Sequence, residues 1–302
     1  MQFVDAHLDI AYNGLKYGRD PLLNVQQLRE QETPDPDRGV ATVSFPQLRE
    51  AEAVIIFGTI FTAHERSAAL LGGDTSFTYR NAHQAHHQAM EQFDYYRRLV
   101  DEEQNYLRLV TDQHDLDEVL DSQQADQPLL GIVPLLEGAD PIREPQELEL
   151  WIEKGLRAVG PAWDDTRYAA GAWRGNRHGL TKMGMALLEI MADSRLILDL
   201  THMNELASLE ALDHFDGPLM ASHSNSRALV PGQRQLSDLL IRRIGEHDGV
   251  IGIALYNPFL RANHHMGDPK ELVTLDHVIA HIDHICQILG DATHVGLGTD
   301  MD

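Results

Sequence analysis

Short apolar runs recur eight times along this chain, separated by longer stretches in which apolar residues return every three or four positions. The runs are QFVDAH (2–7), AVIIFGTIF (53–61), LLGIVPLLE (129–137) and LRAVGPAW (156–163), followed by LILDLTH (196–202), PLMASH (218–223), GVIGIAL (249–255) and HVGLGTD (294–300). Several are apolar at nearly every position, as strands buried on both faces require. The stretches 81–103, 181–194, 236–249 and 271–290 carry the helical period. Thr181 is a cap candidate for the second, while Gly249 and Gly290 are expected to stop the last two. Strands alternating with helices predict β/α units and a parallel sheet, and eight units predict a (β/α)₈ barrel. The rival doubly wound sheet wants G-x-G-x-x-G after its first strand, which is absent; the glycines of GLGTD (296–300) end a strand instead. With neither linker nor repeat, residues 1–302 are expected to form one domain. The eighth run lies two residues from Asp302, so the sequence given is expected to lack the final barrel helix and to continue in the natural protein.

Composition narrows the function classes. A hydrophobic content of 43% is ordinary for a soluble globular chain. No apolar run approaches the roughly 20 residues that span a bilayer, and no signal peptide is visible at the N-terminus. The single cysteine, Cys286, sits in an apolar helical stretch and excludes an internal disulfide. These features predict a cytoplasmic protein. The formal charge of −23 argues against nucleic acid or an anionic membrane as partner.

In a barrel the reactive groups gather where strands end at the C-terminal mouth. Those ends supply His7 and Asp9, Glu137, Trp163, His202, His223 and Asp300. The His7-x-Asp9 spacing would turn both side chains to one face of the pleat. Imidazoles and carboxylates without thiolate suit zinc-like divalent ions. A carboxylate can bridge two such ions, a role that suits Glu137, and another can move a proton, which suits Asp300. Other histidines read as structural. His83, His86 and His87 lie on a polar helix, and His277, His281 and His284 lie on an outer one. HERSA (64–68) lacks the second His of H-E-x-x-H, and no G-x-S-x-G marks a serine hydrolase.

The series DAHLDIA, LLEGADPI, DLTHMNE, ASHSNSRAL and HVGLGTDMD resembles the membrane (renal) dipeptidase family of metallopeptidases, in order from residue 3 to the end. The resemblance implies a binuclear zinc site on the barrel. One ion would be held by His7 and Asp9, the other by His202 and His223, with Glu137 between them. Asp300 matches the family's acidic residue beside the reacting water. Arg234, in VPGQRQLSD, matches the arginine that holds a dipeptide's C-terminal carboxylate. Family analogy also allows a homodimer. At one position the chain departs from the pattern: Trp163 stands where the family has a histidine that meets the tetrahedral intermediate. Indole offers one neutral N–H and cannot replace an imidazolium in charge. The expected activity is zinc-dependent hydrolysis of dipeptides with a free carboxylate. The alternatives are a binuclear amidohydrolase for another small amide, or a catalytically silent metal-binding homologue.

Overall fold

The computed structural model describes residues 1–33, 39–265 and 267–301. All eight expected strands form: β1 (Phe3–Leu8), β2 (Ala53–Phe61), β3 (Leu130–Glu137), β4 (Ala158–Gly160), β5 (Ile197–Asp199), β6 (Leu219–Ala221), β7 (Val250–Ile253) and β8 (Val295–Leu297). Each runs parallel to the next in chain order, and β8 pairs with β1 through Leu297 opposite Asp5, closing the barrel. This is the (β/α)₈ fold that the alternation predicts. A further short strand, Leu107–Leu109, pairs with the first part of β3 before β4 takes over at Leu135–Glu137. Three residues carrying an arginine gave no strand signal of their own.

The strands from β4 onward are shorter than the apolar runs that announced them. Trp163, His202, His223 and Asp300 therefore lie in the loops just past their strands. Hydrophobic pattern reports burial, and these loops are buried at the mouth although their ladder hydrogen bonding has ended. Consecutive residues of a strand serve different layers. Leu135 joins Ala6, Phe57, Ala158, Ile197 and Met220 in a cluster made of strand residues alone, the barrel interior. Leu136, Val159, Leu198 and Ile251 face outward into the main core with helix residues such as Trp151 and Met191. Each fully buried side chain of this kind contributes roughly 1.5–3 kcal/mol. β3 is buried along its whole length, whereas β8 has no fully buried residue.

Helix ends follow local chemistry. Thr181 caps the helix Lys182–Asp193 by accepting from Gly184 N, as expected. Gly290 ends Leu275–Leu289 at φ 91°, a left-handed conformation that costs glycine little. Gly249 does not cap its helix, which ends at Glu246. A Cβ there would meet the Leu219 side chain at 2.4 Å, so any larger residue would have to displace it. Among the described residues no helix is long and apolar enough to cross a membrane.

Candidate metal centre

Glu137 is the last residue of β3, and its side chain is buried at the middle of the mouth. Its Oε1 lies 3.1 Å from His202 Nε2, 3.5 Å from His223 Nε2 and 3.8 Å from His7 Nε2. The Nε2 atoms of His202 and His223 are 3.0 Å apart. Beside His7, Asp9 Oδ2 and Asp300 Oδ1 are each 3.9 Å from its Nε2. Ligand-bearing atoms of His7, Glu137 and His223 form one compact group, and those of His7, Asp9 and Asp300 a second. Asp9 reaches this place by a different route from the pleat argument. It lies past β1, at the N-cap of helix Ile10–Tyr17, yet its side chain makes no capping hydrogen bond.

Two buried aspartates hold the loops that carry the clustered side chains. Asp5 Oδ1 accepts from Thr299 N at 2.8 Å and His7 N at 3.2 Å, and its Oδ2 accepts from Thr299 Oγ1 at 2.6 Å. Asp199 Oδ1 accepts from Ser222 N at 2.9 Å and Thr201 N at 3.0 Å, and its Oδ2 accepts from Ser222 Oγ at 2.5 Å. The Ser222 hydroxyl, its proton given to Asp199, can accept from His223 Nδ1 at 2.9 Å. That arrangement leaves His223 Nε2 with a lone pair directed at Glu137. Gly298 lets β8 close on this loop, since a Cβ there would sit 1.6 Å from Ser222 O. His202 and Asp300 themselves adopt φ 69° and 55°. For side chains other than glycine this costs about 1–3 kcal/mol each, a strain typical of functional sites.

Charge is divided unevenly across the cluster. Burial would push the His7 imidazole down, but Glu137, Asp9 and Asp300 together hold it well above its usual range. His202 and His223 are pushed well below theirs, first by burial and then by Arg234 and His7. Burial raises the Glu137 and Asp300 carboxyls, against the pull of His7. Burial also lowers Arg234, to about 10, so it remains a cation at neutral pH.

Glu137 Oε1 is buried and has no hydrogen-bond donor. Such an orphaned acceptor costs about 1–3 kcal/mol, and more when charged. With three imidazole nitrogens converging on that one oxygen, the donor set fits divalent ions of zinc-like preference.

Every site residue read from the sequence lines one cavity of about 340 Å³. Arg234 donates through Nη2 to His223 O at 2.9 Å and through Nη1 to Ser224 Oγ at 3.2 Å, while its buried Nε has no partner. Its guanidinium lies 5.1 Å from the Phe259 ring. Trp163 stands against Phe61, with ring centroids 5.1 Å apart, and 5.9 Å from His202. Asp5 and Asp199 as supports, and Tyr12, Phe61, Trp173, Tyr256 and Phe259 as lining, are additions from the structure. An aspartate before each histidine, in DAH and DLTH, was a signal for the supports. The aromatic lining has none, because its members come from distant segments.

The whole chain, residues 1–302, matches the family model described as membrane dipeptidase (peptidase family M19). An uncharacterized protein of the pqqA 5′ region of Klebsiella pneumoniae is 34% identical over 182 residues, covering 58% of this chain and 66% of that protein. Dipeptidase tcpJ of Claviceps purpurea is 34% identical over 125 residues, 41% of this chain and 28% of tcpJ. The chain thus spans about two thirds of the bacterial relative and under a third of the fungal one. A crystal structure of a metallopeptidase from Rhodobacter sphaeroides, liganded with a phosphinate mimic of L-Ala-D-Ala, shares the fold. It is 23% identical, with a TM-score of 0.81 over 100% of this chain and 86% of that one. A dipeptidase of the same family is 25% identical, with a TM-score of 0.79 over 100% of this chain and 85% of its own. On the whole-chain match, with that fold and those motifs, the chain belongs to the membrane dipeptidase family.

Proposed function

We propose that the protein is a metal-dependent dipeptidase that hydrolyses dipeptides with a free C-terminal carboxylate. Its metal would be zinc, two ions per chain, held by His7 and Asp9 on one side and by His202 and His223 on the other, with Glu137 between them. The observation that carries this reading is the orphaned Glu137 Oε1, buried within 3.8 Å of three imidazole nitrogens. When bound, such ions polarise a carbonyl and make water acidic enough to react at neutral pH.

The chain's own groups would supply the rest. Arg234 holds the carboxylate through charge-assisted hydrogen bonds, and its packing on Phe259 fixes the plane of the guanidinium. That anchor places the scissile amide at the cluster, converting remote binding energy into position. Asp300 lies at the edge of the cluster with its side chain 27% exposed, so it can receive a proton and pass it to the leaving amine. The buried loops around Ser222 and Thr299 keep these groups fixed during the reaction.

A second reading, a binuclear amidohydrolase for another small amide, is favoured by one observation. Trp163 occupies the place of the family's histidine and brings no charge to an oxyanion. A dipeptide panel, with and without added zinc, separates the two. The dipeptidase reading expects metal-dependent hydrolysis that falls sharply when the substrate's carboxylate is amidated. The loss should be roughly 2–4 kcal/mol, as for one partner removed from a buried charged pair. Equal rates on acid and amide would make Arg234 a bystander and favour the amidohydrolase.

A further inference from the structure

We infer that the site selects dipeptides whose N-terminal residue carries a large apolar side chain, seated on a wall formed by Trp163, Phe61 and Tyr12. The inference rests on the dipeptidase reading and deepens it by naming the substrate class.

The geometry assigns the two ends of the substrate to different surroundings. Arg234 lies on the His202–His223 side of the cluster, with Nη2 3.3 Å from His202 Nε2. A carboxylate anchored there leaves the C-terminal residue only the short interval between Arg234 and Glu137. Its side chain then faces Phe259 and Trp173, whose rings are 6.4 Å apart. The N-terminal residue must continue past the cluster, along a wall that starts at Trp163, which also adjoins His202 at 5.9 Å and Trp173 at 6.5 Å, and runs on to Phe61 and Tyr12. Trp163 meets Phe61 edge-on at 5.1 Å, and Phe61 meets Tyr12 at 4.9 Å. Leu71 and Phe77 pack against the same group.

The members of that cluster are apolar or aromatic, and the cation that lines the cavity beside them is the buried Arg19. Both nearby cations already have protein partners and offer little to an acidic substrate: Arg19 is held by Glu32 at 2.6 Å and donates to Asn13 Oδ1 at 2.8 Å, and Lys16 is engaged by the Tyr12 hydroxyl at 2.7 Å and by Asp74 at 3.1 Å. Asp300, at the rim of the cluster, suits the substrate's free ammonium. Trp163 is therefore a specificity-determining residue: a histidine there would present a hydrogen-bonding edge, whereas indole presents an apolar face. Contact with such faces is favourable in proportion to the area removed from water.

The test compares Gly-Ala, Ala-Ala, Leu-Ala, Phe-Ala, Asp-Ala and Lys-Ala on the zinc-loaded full chain. kcat/KM should rise from Gly to Phe by about tenfold or more, the discrimination an apolar pocket can give. Asp-Ala and Lys-Ala should fall below Ala-Ala. Trp163→Ala should flatten the series, chiefly through KM. Calorimetric binding of phosphinate mimics of Phe-Ala and Gly-Ala reads the same preference without turnover and should give the same order. Hydrolysis with a flat or inverted series would overturn the inference and leave the dipeptidase reading standing. No hydrolysis of any dipeptide by the zinc-loaded chain would overturn both.

Discussion

Asp5 on β1 and Asp199 on β5 hold opposite sides of the barrel mouth in the same way, yet they support different chemistry. Each uses Oδ1 for two backbone N–H groups and Oδ2 for the hydroxyl of a neighbouring loop, Thr299 in one case and Ser222 in the other. The residue after each hydroxyl lines the cavity, Asp300 in one case and His223 in the other. Around the Asp5 clip the groups are mainly carboxylates, and they hold the His7 imidazole well above its usual range. Around the Asp199 clip stand His202, His223 and the cation Arg234, and burial, with His7 and that cation, keeps both imidazoles well below theirs. One scaffold thus builds two electrostatically distinct halves, with Glu137 facing both. Under the proposed function, the carboxylate half would take the ammonium and move the proton, and the other half would take the carboxylate.

The largest expected effect comes from removing what the halves share. Glu137→Gln should deplete both metal positions and abolish hydrolysis. Asp300→Asn should keep the metal and lose turnover by about 10²–10⁴, the usual range for a proton-transfer group. Metal loss in Asp300→Asn with undiminished turnover per bound metal would reverse those two roles. The clips themselves should give a smaller change. Ser222→Ala should weaken metal binding by about 10–100-fold, as loss of an outer partner of a ligand does. Competition with a zinc chelator measures this, and unchanged affinity would show that Ser222 does not fix the His223 tautomer. The smallest expected effect is a gain. Trp163→His restores a hydrogen-bonding ring near the scissile bond and should raise turnover of small dipeptides by about tenfold. That is less than the 10²–10³ typical of a preorganised donor, because the new ring would lack fixed partners. A folded, metal-loaded Trp163→His protein that gains nothing would favour the amidohydrolase reading.

Much of this was legible in the sequence, for identifiable reasons. Runs such as AVIIFGTIF are apolar at nearly every position because both faces of the strand are covered, and that burial made the barrel readable. His7, Glu137, His202 and His223 could be read because a barrel gathers strand ends, so position along a strand becomes position in space. The clips were visible only in part. DAH and DLTH place an aspartate before each histidine, but the hydroxyl partners lie 294 and 23 residues away in sequence. The aromatic wall was not legible, since Tyr12, Phe61 and Trp163 come together only through the fold. Asp9 lies in the cluster, though not for the reason the pleat gives. It stands beyond the strand as an N-cap residue, where local helix geometry, not the pleat, sets its direction.

The central claim is that the two halves of the mouth, with Glu137 between them, hold two divalent ions. Elemental analysis of the purified protein, repeated after reconstitution with zinc and removal of excess metal, tests it most directly. The account predicts close to two ions per chain for the natural sequence and a marked loss for Glu137→Gln. A content near zero in the natural sequence, unchanged by reconstitution, would contradict it.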